Sequence, residues 1–493
     1  MNMLITHFIY PISPILVPVI LGIVLLMIGS FLKNPPTPLI KSLCYLSPIL
    51  SIAILYYQLQ NVIPAIADST SLMNDPWFAE FLRSIKLDDL SLAFFAGIQL
   101  FTLFGLFFSL NQSLNPKTTM IEMGSLLLFV SAGMMLLVSA NHLLVAFLAL
   151  ELMSLPTYVL VGLQRQKLES AEASLKYFLY GSLATVLIVL GMAIAFSSAG
   201  SLHLPTIQSA IVSSSVNATP SASWLIMLGL FIVGTGFKVG AFPFHMWLPD
   251  AYQGASSSIT AFMGSAVKLS AFGLIIRLFW GGFEPLSGSW RPVLQALAIM
   301  SILSGNIAAI VQTNVKRMFA FSSIAHAGYV LLLIGTATPT FQPTWSLYYY
   351  LLVYGLMFLG LFGALSVIED QQGRVTLNEL KGLGFTRPLF GFCLLVFVLT
   401  AAGIPPTAGF LSKYFLLWEV AKQGYYAQVI VAVIGSLIGV YYYLQVLVAL
   451  YMQPSSSQQP LKPRVNLFGI VACTALLVLG TISPALLTLF ISP

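Results

Sequence analysis

Of the 493 residues, 58% are hydrophobic and only 7% are charged, with a formal net charge of +6. A soluble domain carries about 25% charged residues, so this chain cannot cover a water-facing surface and reads as an all-α polytopic membrane protein. Its basic residues stand singly or in pairs between apolar runs, with no basic face or aromatic-interleaved patch, which excludes a nucleic-acid interface.

The N-terminal stretch MNMLITHFIYPISPILVPVILGIVLLMIGSFLK has neither the basic start nor the small-residue cleavage site of a signal peptide. It is expected to be retained as the first transmembrane helix. A bilayer needs about 20 residues of helix. Runs of that kind recur at 12–32, 40–60, 91–110, 119–138, 141–163, 171–199, 223–244, 257–280, 291–313, 315–337, 343–368, 387–422, 427–451 and 465–490, which makes fourteen predicted spans. The 387–422 element is long and interrupted by Pro405 and Pro406. No polar segment is long enough for a separate soluble domain.

Between the second and third spans, NDPWFAEFLRSIKLDDLS is the one amphipathic, acidic stretch. It fits either a lateral docking element or a loop resting on the membrane surface. QPSSSQQPLKPR (453–464) has the composition of a flexible linker. Cys44, Cys393 and Cys473 are far apart in apolar segments, so they read as small buried residues rather than an iron–sulfur or disulfide framework.

With the N-terminus outside, the odd-numbered loops hold Lys33, Lys41, Lys117, Arg165, Lys167, Lys316, Arg317, Arg374, Lys381, Arg387, Lys462 and Arg464. The even-numbered loops hold only Arg83, Lys86, Arg291 and Lys422. Positive residues collect on the cytoplasmic side, so both termini are expected to face outward.

Apart from those assigned to loops and helix ends, five basic residues stand within predicted helices: Lys176, Lys238, Lys268, Arg277 and Lys413. Arg277 is close enough to a helix end to snorkel to the interface. Lys238 and Lys268 lie too deep for that, and an ionisable group at the bilayer centre costs on the order of 3 kcal/mol even on the lenient insertion scale. Glu151 sits mid-helix in HLLVAFLALELMSLPTYVL, where a carboxylate must be protonated or paired with a cation. Glu122 is only a few residues into its helix and fits an interfacial position as well as a functional one. His326, mid-helix in FAFSSIAHAGYVLL, is either a satisfied buried hydrogen-bonding group or part of the same set.

Other chemistry finds little support. The five histidines lack HxxxH or HxH spacing, and no carboxylate cluster offers a metal site. GTGFKVG has its third glycine one place late for a nucleotide fingerprint and follows no strand. There is no G-x-S-x-G elbow and no Walker lysine. What a buried lysine can do is exchange a proton, because desolvation favours its neutral form and a nearby carboxylate restores the charge.

Two helix breaks stand beside lysines. AFPFHMWLP follows Lys238, and TAAGIPPTAGFLSKYF carries Lys413 after its prolines. Broken membrane helices occur where freed backbone groups line a cavity or are buried in protein, and their half-helix ends present partial charge to transported ions. Proline-kinked packing helices are the alternative.

Five segments together resemble a known family. They are ELMSLPTYVLVGL (151–163), ESAEASLKYFLYGSLAT (169–185), GFKVGAFPFHMWLPDAYQGAS (236–256), NVKRMFAFSSIAHAGYVLL (314–332) and GIPPTAGFLSKYFL (403–416). They resemble the antiporter-like subunits of proton-pumping NADH–quinone oxidoreductase, complex I, over about 120–450. LPDAYQGA is closer to the N branch than to the L and M branches, the lysine at 413 fits N better than M, and no long lateral helix of the L type follows the last span. The resemblance implies two inverted five-helix repeats, each with a broken helix. Residues 1–118 would hold helices 1–3, 119–280 the first bundle, 291–451 the second, and 465–493 helix 14.

The resemblance also implies roles. Glu151 would be the helix-5 carboxylate and Lys176 the adjoining helix-6 lysine. Lys238 would be the broken-helix lysine at a cytoplasmic half-channel, Lys268 the connecting helix-8 lysine, His326 a relay in helix 10, and Lys413 the lysine nearest the outlet. Electron chemistry would belong to partners: a peripheral arm and further membrane subunits using NADH, FMN, iron–sulfur clusters and quinone. No cofactor or metal is expected in this chain, and the bacterial cytoplasmic membrane is its expected place. The alternatives are a subunit of a multi-subunit sodium–proton antiporter, a module of a membrane hydrogenase or of a ferredoxin- or F420-fed complex, and a structural subunit that transports nothing.

Overall fold

The computed structural model describes residues 10–32, 35–61, 83–112, 117–164, 166–214, 220–338, 344–454 and 466–487. In chain order the main helices are α1 (Tyr10–Phe31), α2 (Thr37–Asn61), α3 (Asp89–Leu110), α4 (Lys117–Ser139), α5 (Leu143–Val161) and α6 (Leu168–Ala199). The broken α7 follows, as α7a (Ala222–Val239) and α7b (Trp247–Gly254), then α8 (Ser257–Gly282), α9 (Ser287–Ile310), α10 (Val315–Ile334) and α11 (Thr344–Gln372). The broken α12, as α12a (Pro388–Ala402) and α12b (Ala408–Lys422), precedes α13 (Tyr426–Met452) and α14 (Asn466–Ile482). Among the described residues, twelve helices are each long and apolar enough to cross a bilayer. The shorter α12a completes its crossing through α12b, and α14 makes a fourteenth segment.

Half of the acidic stretch before α3 and most of the 453–464 linker lie outside the described residues, as do Lys33, Arg165, Lys462 and Arg464. Between α6 and α7a, where no element was expected, a short helix covers Leu204–Ser214. α8 is continuous but not uniformly α-helical, with π turns at Met263–Val267 and Arg277–Gly282.

α8 and α11 form the centre of the molecule, and their apolar windows are wholly buried. The flanking helices lie around them with outward-facing apolar side chains such as Leu183, Val186, Ile430 and Leu437. In lipid this outer surface needs no burial, so the packing of helix on helix and the interhelical polar contacts carry the specificity. The three cysteines are free and buried.

Local cues repeat along the chain. His142 caps α5, its Nδ1 accepting the Leu144 amide at 3.1 Å, and its backbone pairs with His203 beyond α6. Asn314 caps α10, its Oδ1 accepting the Arg317 amide at 3.1 Å, and its backbone pairs with Thr376 beyond α11. Then α7a and α12a each end on a left-handed glycine, Gly240 (φ 72°) and Gly403 (φ 73°). α5 is an odd-numbered crossing and α10 an even one, so corresponding elements run in opposite directions.

Loop sidedness is visible in two polar cavities. One, of about 390 Å³, is lined only by the ends and loops between α5 and α6, α7 and α8, α9 and α10, and α11 and α12. The other, of about 250 Å³, is lined by residues at the opposite ends, among them Lys86, Asp88, Asn141, Arg277 and Thr344. Odd-numbered connections therefore share one face and even-numbered connections the other.

Two basic residues depart from expectation. Arg277 does not snorkel: it is buried, and its guanidinium grips both oxygens of Asp88 while Nε donates to the Val138 carbonyl at 2.8 Å. A planar five-donor group matches a carboxylate bidentately, so a partner in reach outweighs a trip to the interface. Lys316 is likewise no loop charge. It is buried, 3.0 Å from Glu369.

Asp88 also opens α3 through a capping box with Ser91, so one carboxylate fixes a helix start and ties α3 to α8. Burial alone would push its carboxyl up, but the hydrogen bonds and charge of Arg277, helped by the Ser91 amide and Lys86, hold it well below the usual carboxylate range. The folded value lies below the unfolded one of about 3.9, so this stabilisation is present in full above that pH and is lost as pH falls. Asp88→Asn is expected to lower the apparent melting temperature in detergent at pH 7, with the gap from the parent narrowing only as the pH is lowered toward about 2. A gap that stays constant with pH would contradict the assignment.

Candidate functional site

Lys238 occupies the last turn of α7a and is buried. Its Nζ lies 3.0 Å from Ser154 Oγ and 3.5 Å from Tyr158 Oη, both on α5. Glu151 stands one turn earlier on α5, half-buried, and accepts a hydrogen bond from Thr185 Oγ1 of α6 at 3.0 Å. No ion pair joins Glu151 to Lys238 among the described residues; hydroxyl groups surround the amine instead. A hydroxyl can donate or accept, so these partners serve the lysine whether it is charged or neutral.

Lys268 follows the first π turn of α8 and is 3% exposed. Its Nζ donates to the Ser323 carbonyl at 2.6 Å and contacts Ser323 Oγ, and it lies 5.6 Å over the Tyr354 ring. Tyr354 Oη in turn donates to Ser323 Oγ at 2.8 Å. π turns inside α-helices occur often at functional sites, because the extra residue disturbs the regular backbone ladder.

His326 is buried on α10, one turn beyond Ser323. Its Nδ1 is 2.7 Å from Tyr350 Oη and its Nε2 is 3.3 Å from Tyr443 Oη. Tyr443 also shares a hydrogen bond with Ser322, and the His326 ring lies tilted 4.9 Å from that of Tyr354. Each ring nitrogen thus has a hydroxyl, and either tautomer can be satisfied.

Lys413 lies in α12b but reaches back across the break. Its Nζ donates to the carbonyls of Ala401 and Ala402 at 3.1 Å each and to Ser436 Oγ at 3.2 Å. These carbonyls are the unpaired end groups of α12a, where the helix dipole is negative. The amine also lies 5.4 Å over the Tyr329 ring, which in turn is 6.1 Å from the His326 ring. A cleft of about 500 Å³ between α12b and α13 exposes this lysine to a mostly apolar surround that includes Phe410, Trp418 and Leu437.

Lys268, His326 and Lys413 are therefore drawn together through serine and tyrosine hydroxyls and aromatic rings. Lys238 stands apart: it and Lys268 have no hydrogen-bond partner in common among the described residues. Lys176 is further out. It lies near the start of α6, half-exposed, paired with Glu172 at 2.7 Å and Asp250 at 3.0 Å. Glu122 is exposed near the start of α4. Among the described residues no group of three or more His, Cys, Asp or Glu could hold a metal ion.

The polar partners Ser154, Tyr158, Ser323, Tyr350, Tyr354 and Tyr443 were not anticipated. The signal was present in the tyrosine runs YYYLLVYG (348–355) and YYYL (441–444), since a hydroxyl-bearing ring in mid-span must find a partner.

Residues 140–439, which include all six candidate residues, match the family described as NADH:quinone oxidoreductase/Mrp antiporter, transmembrane. A NADH-quinone oxidoreductase subunit N from Nitrosomonas europaea is 40% identical over 374 residues, covering 75% of this chain and 77% of that protein. The subunit N of Rhodospirillum rubrum is 33% identical over 476 residues, covering 95% and 94%. A chain in the structure of respiratory complex I from Thermus thermophilus superposes with a TM-score of 0.78 at 30% identity, covering 96% of this chain and 98% of that one.

Gly403 is where the second break can be tested as structure. At φ 73° an alanine is strained, and its Cβ would come within 2.8 Å of Lys413 Cδ. Gly403→Ala is expected to destabilise the purified protein by roughly 1–2 kcal/mol, since the left-handed region costs an L residue about that much. The measurement is an apparent melting temperature in detergent. Restoring the side-chain space with Lys413→Ala should leave part of that loss in place; full recovery would show that the backbone conformation costs nothing.

Proposed function

The chain belongs to the subunit N family of NADH–quinone oxidoreductases, and on that premise we propose that it is a proton-translocating membrane module whose transport is driven by electron transfer from NADH to quinone in partner subunits. It is a multi-pass membrane protein of a respiratory complex. NADH, FMN, iron–sulfur clusters and quinone are bound and reacted by the partners, which comprise the peripheral redox arm and further membrane subunits. The cytoplasmic membrane, with both termini on its outer face, is the orientation favoured by the positive odd-numbered loops. Residues 119–280 and 291–451 act as two bundles, flanked by helices 1–3 within 1–118 and helix 14 within 465–493.

The observation that carries this reading is the set of three buried amines and one buried imidazole, each held by groups that tolerate gain or loss of a proton. Glu151 biases Lys238 by charge, and Thr185 positions its carboxylate. Lys176 and its acidic partners stand toward the cytoplasmic face, where they steer protons rather than relay them. Lys268 passes a proton through Ser323 and Tyr354 to His326, and Tyr329 lies between His326 and Lys413. Lys413, the lysine nearest the outlet, then releases it. Moving a charge against 100 mV costs about 2.3 kcal/mol, so redox-driven rearrangement must supply the direction.

In vesicles containing the assembled complex, Lys268→Ala is expected to lower NADH-driven proton uptake about a hundredfold, the lower bound of what a positioned proton-transfer group contributes. Lys268→Arg keeps the charge but does not release it readily, and it should fail to restore transport. Glu151→Gln should assemble and also transport poorly. Replacing sodium by choline should change nothing. Wild-type uptake in assembled Lys268→Ala would refute the lateral path, and loss of uptake without sodium would favour cation exchange.

A further inference from the structure

One buried ion pair plays no part in the path above. Lys316, on the first turn of α10, and Glu369, at the end of α11, are 3.0 Å apart with side chains 3% and 10% exposed. Lys316 also donates to the Ala255 carbonyl, and the second oxygen of Glu369 accepts the Ser257 amide at 2.7 Å. Both groups therefore hold the elbow between α7b and α8. Beside them Arg317 donates to Asp250 of α7b at 2.6 Å, and Asp250 also pairs with Lys176 of α6. The first turn of α10 thus fastens the second bundle to the broken helix of the first.

This pair forms part of the wall of the 390 Å³ polar cavity on the odd-numbered face, together with Lys167, Glu169, Gln253 and Arg374. Next to it Ser257 Oγ is fully buried with no hydrogen-bond partner. A buried hydroxyl left unsatisfied costs free energy, and a water molecule is its natural partner where polar groups and a cavity adjoin. Beyond Ser257, α8 carries the buried Ser258, Thr260 and Ser265 before Lys268. Ser257 and Lys268 are about 16 Å apart along the helix at about 1.5 Å per residue.

We propose that this cavity is a second proton inlet, separate from the one at Lys238, with the Lys316–Glu369 pair as its gate and the hydroxyls of α8 as its route to Lys268. The proposal rests on the lateral path but adds to it a source on the cytoplasmic face. A proton leaves bulk water in the cavity, crosses the Ser257 hydroxyl and the water bound there, and ends on the neutral Lys268 amine. The charge on Glu369 attracts the proton, and Lys316 keeps that carboxylate from trapping it. No electron is transferred and no bond other than O–H and N–H is made or broken. The geometry also explains why Lys268 need not share a partner with Lys238.

The test uses the assembled complex in vesicles and compares Ser257→Thr with Ser257→Val, which have nearly the same volume and differ in the hydroxyl. The threonine variant is expected to retain NADH-driven proton uptake. The valine variant is expected to lose it about tenfold while NADH oxidation with an artificial acceptor persists, because a relay group has been removed. Glu369→Gln should behave as valine does, and Glu369→Asp should recover part of the loss; this second pair serves if the Ser257 variants fail to assemble. Equal uptake in the threonine and valine variants, whether normal or reduced, overturns the inlet. If Lys268→Ala stops uptake while Ser257→Val and Glu369→Gln do not, the inlet fails and the lateral path survives. If Lys268→Ala itself transports normally, the path fails first.

Discussion

A lysine ammonium stays inside a bilayer only if nearby oxygens accept its three hydrogens, and much of this fold supplies them. In the middle of an unbroken helix each carbonyl already accepts from the amide four residues on, so a lysine there can only share one, as Lys268 shares the Ser323 carbonyl of α10. Breaking a helix releases the last turn of the first half. At the second break those released groups are the Ala401 and Ala402 carbonyls, and Lys413 returns from the other half-helix to take both. Gly403 makes the return possible, because its left-handed turn and missing side chain leave room for the lysine stem. The first break solves the same problem differently. Lys238 stays on the half-helix it belongs to and turns to Ser154 and Tyr158 of α5.

That difference affects chemistry. Carbonyl oxygens accept only, so Lys413 must donate to both of its backbone partners. The hydroxyl partners of Lys238 can donate or accept. Lys268, with one carbonyl and one hydroxyl from the same Ser323, lies between these cases. The surroundings differ although the lysines are chemically identical.

The spans, both breaks and the depth of Lys238 and Lys268 were legible in the sequence, because each is a local property. Hydropathy over about 20 residues marks a span, and proline beside glycine marks a break. Arg277–Asp88 and Lys316–Glu369 were not legible. Their members are 189 and 53 residues apart, and a lone charge near a helix end looks the same whether it reaches lipid headgroups or a buried carboxylate. The tyrosines were hidden for another reason. Tyrosine is at home in apolar helices, so only the position of its hydroxyl separates a packing ring from a relay, and composition carries no such position.

The separation between Lys238 and Lys268 also fits the demands on a pump. A hydrogen-bonded chain unbroken from one membrane face to the other would let protons run back down the gradient whenever chemistry paused. Here hydroxyls join Lys268 only as far as Tyr354, contact onward to His326 and Lys413 is through rings, and Lys238 lies outside the set. The elbow between α7b and α8 joins the half-helix that follows the first break to the helix that carries Lys268, and it is held by α10 and α11 through Asp250, Ala255 and Ser257. Those contacts are ion pairs and single hydrogen bonds, which can exchange partners without unpacking the apolar core. A shift of the elbow would therefore change the water and hydroxyl contacts of the first bundle while leaving α8 and α11, the buried centre, in place. Rigid helices with a polar, exchangeable seam are what allow a redox change elsewhere in a complex to open one step of a path without opening all of them.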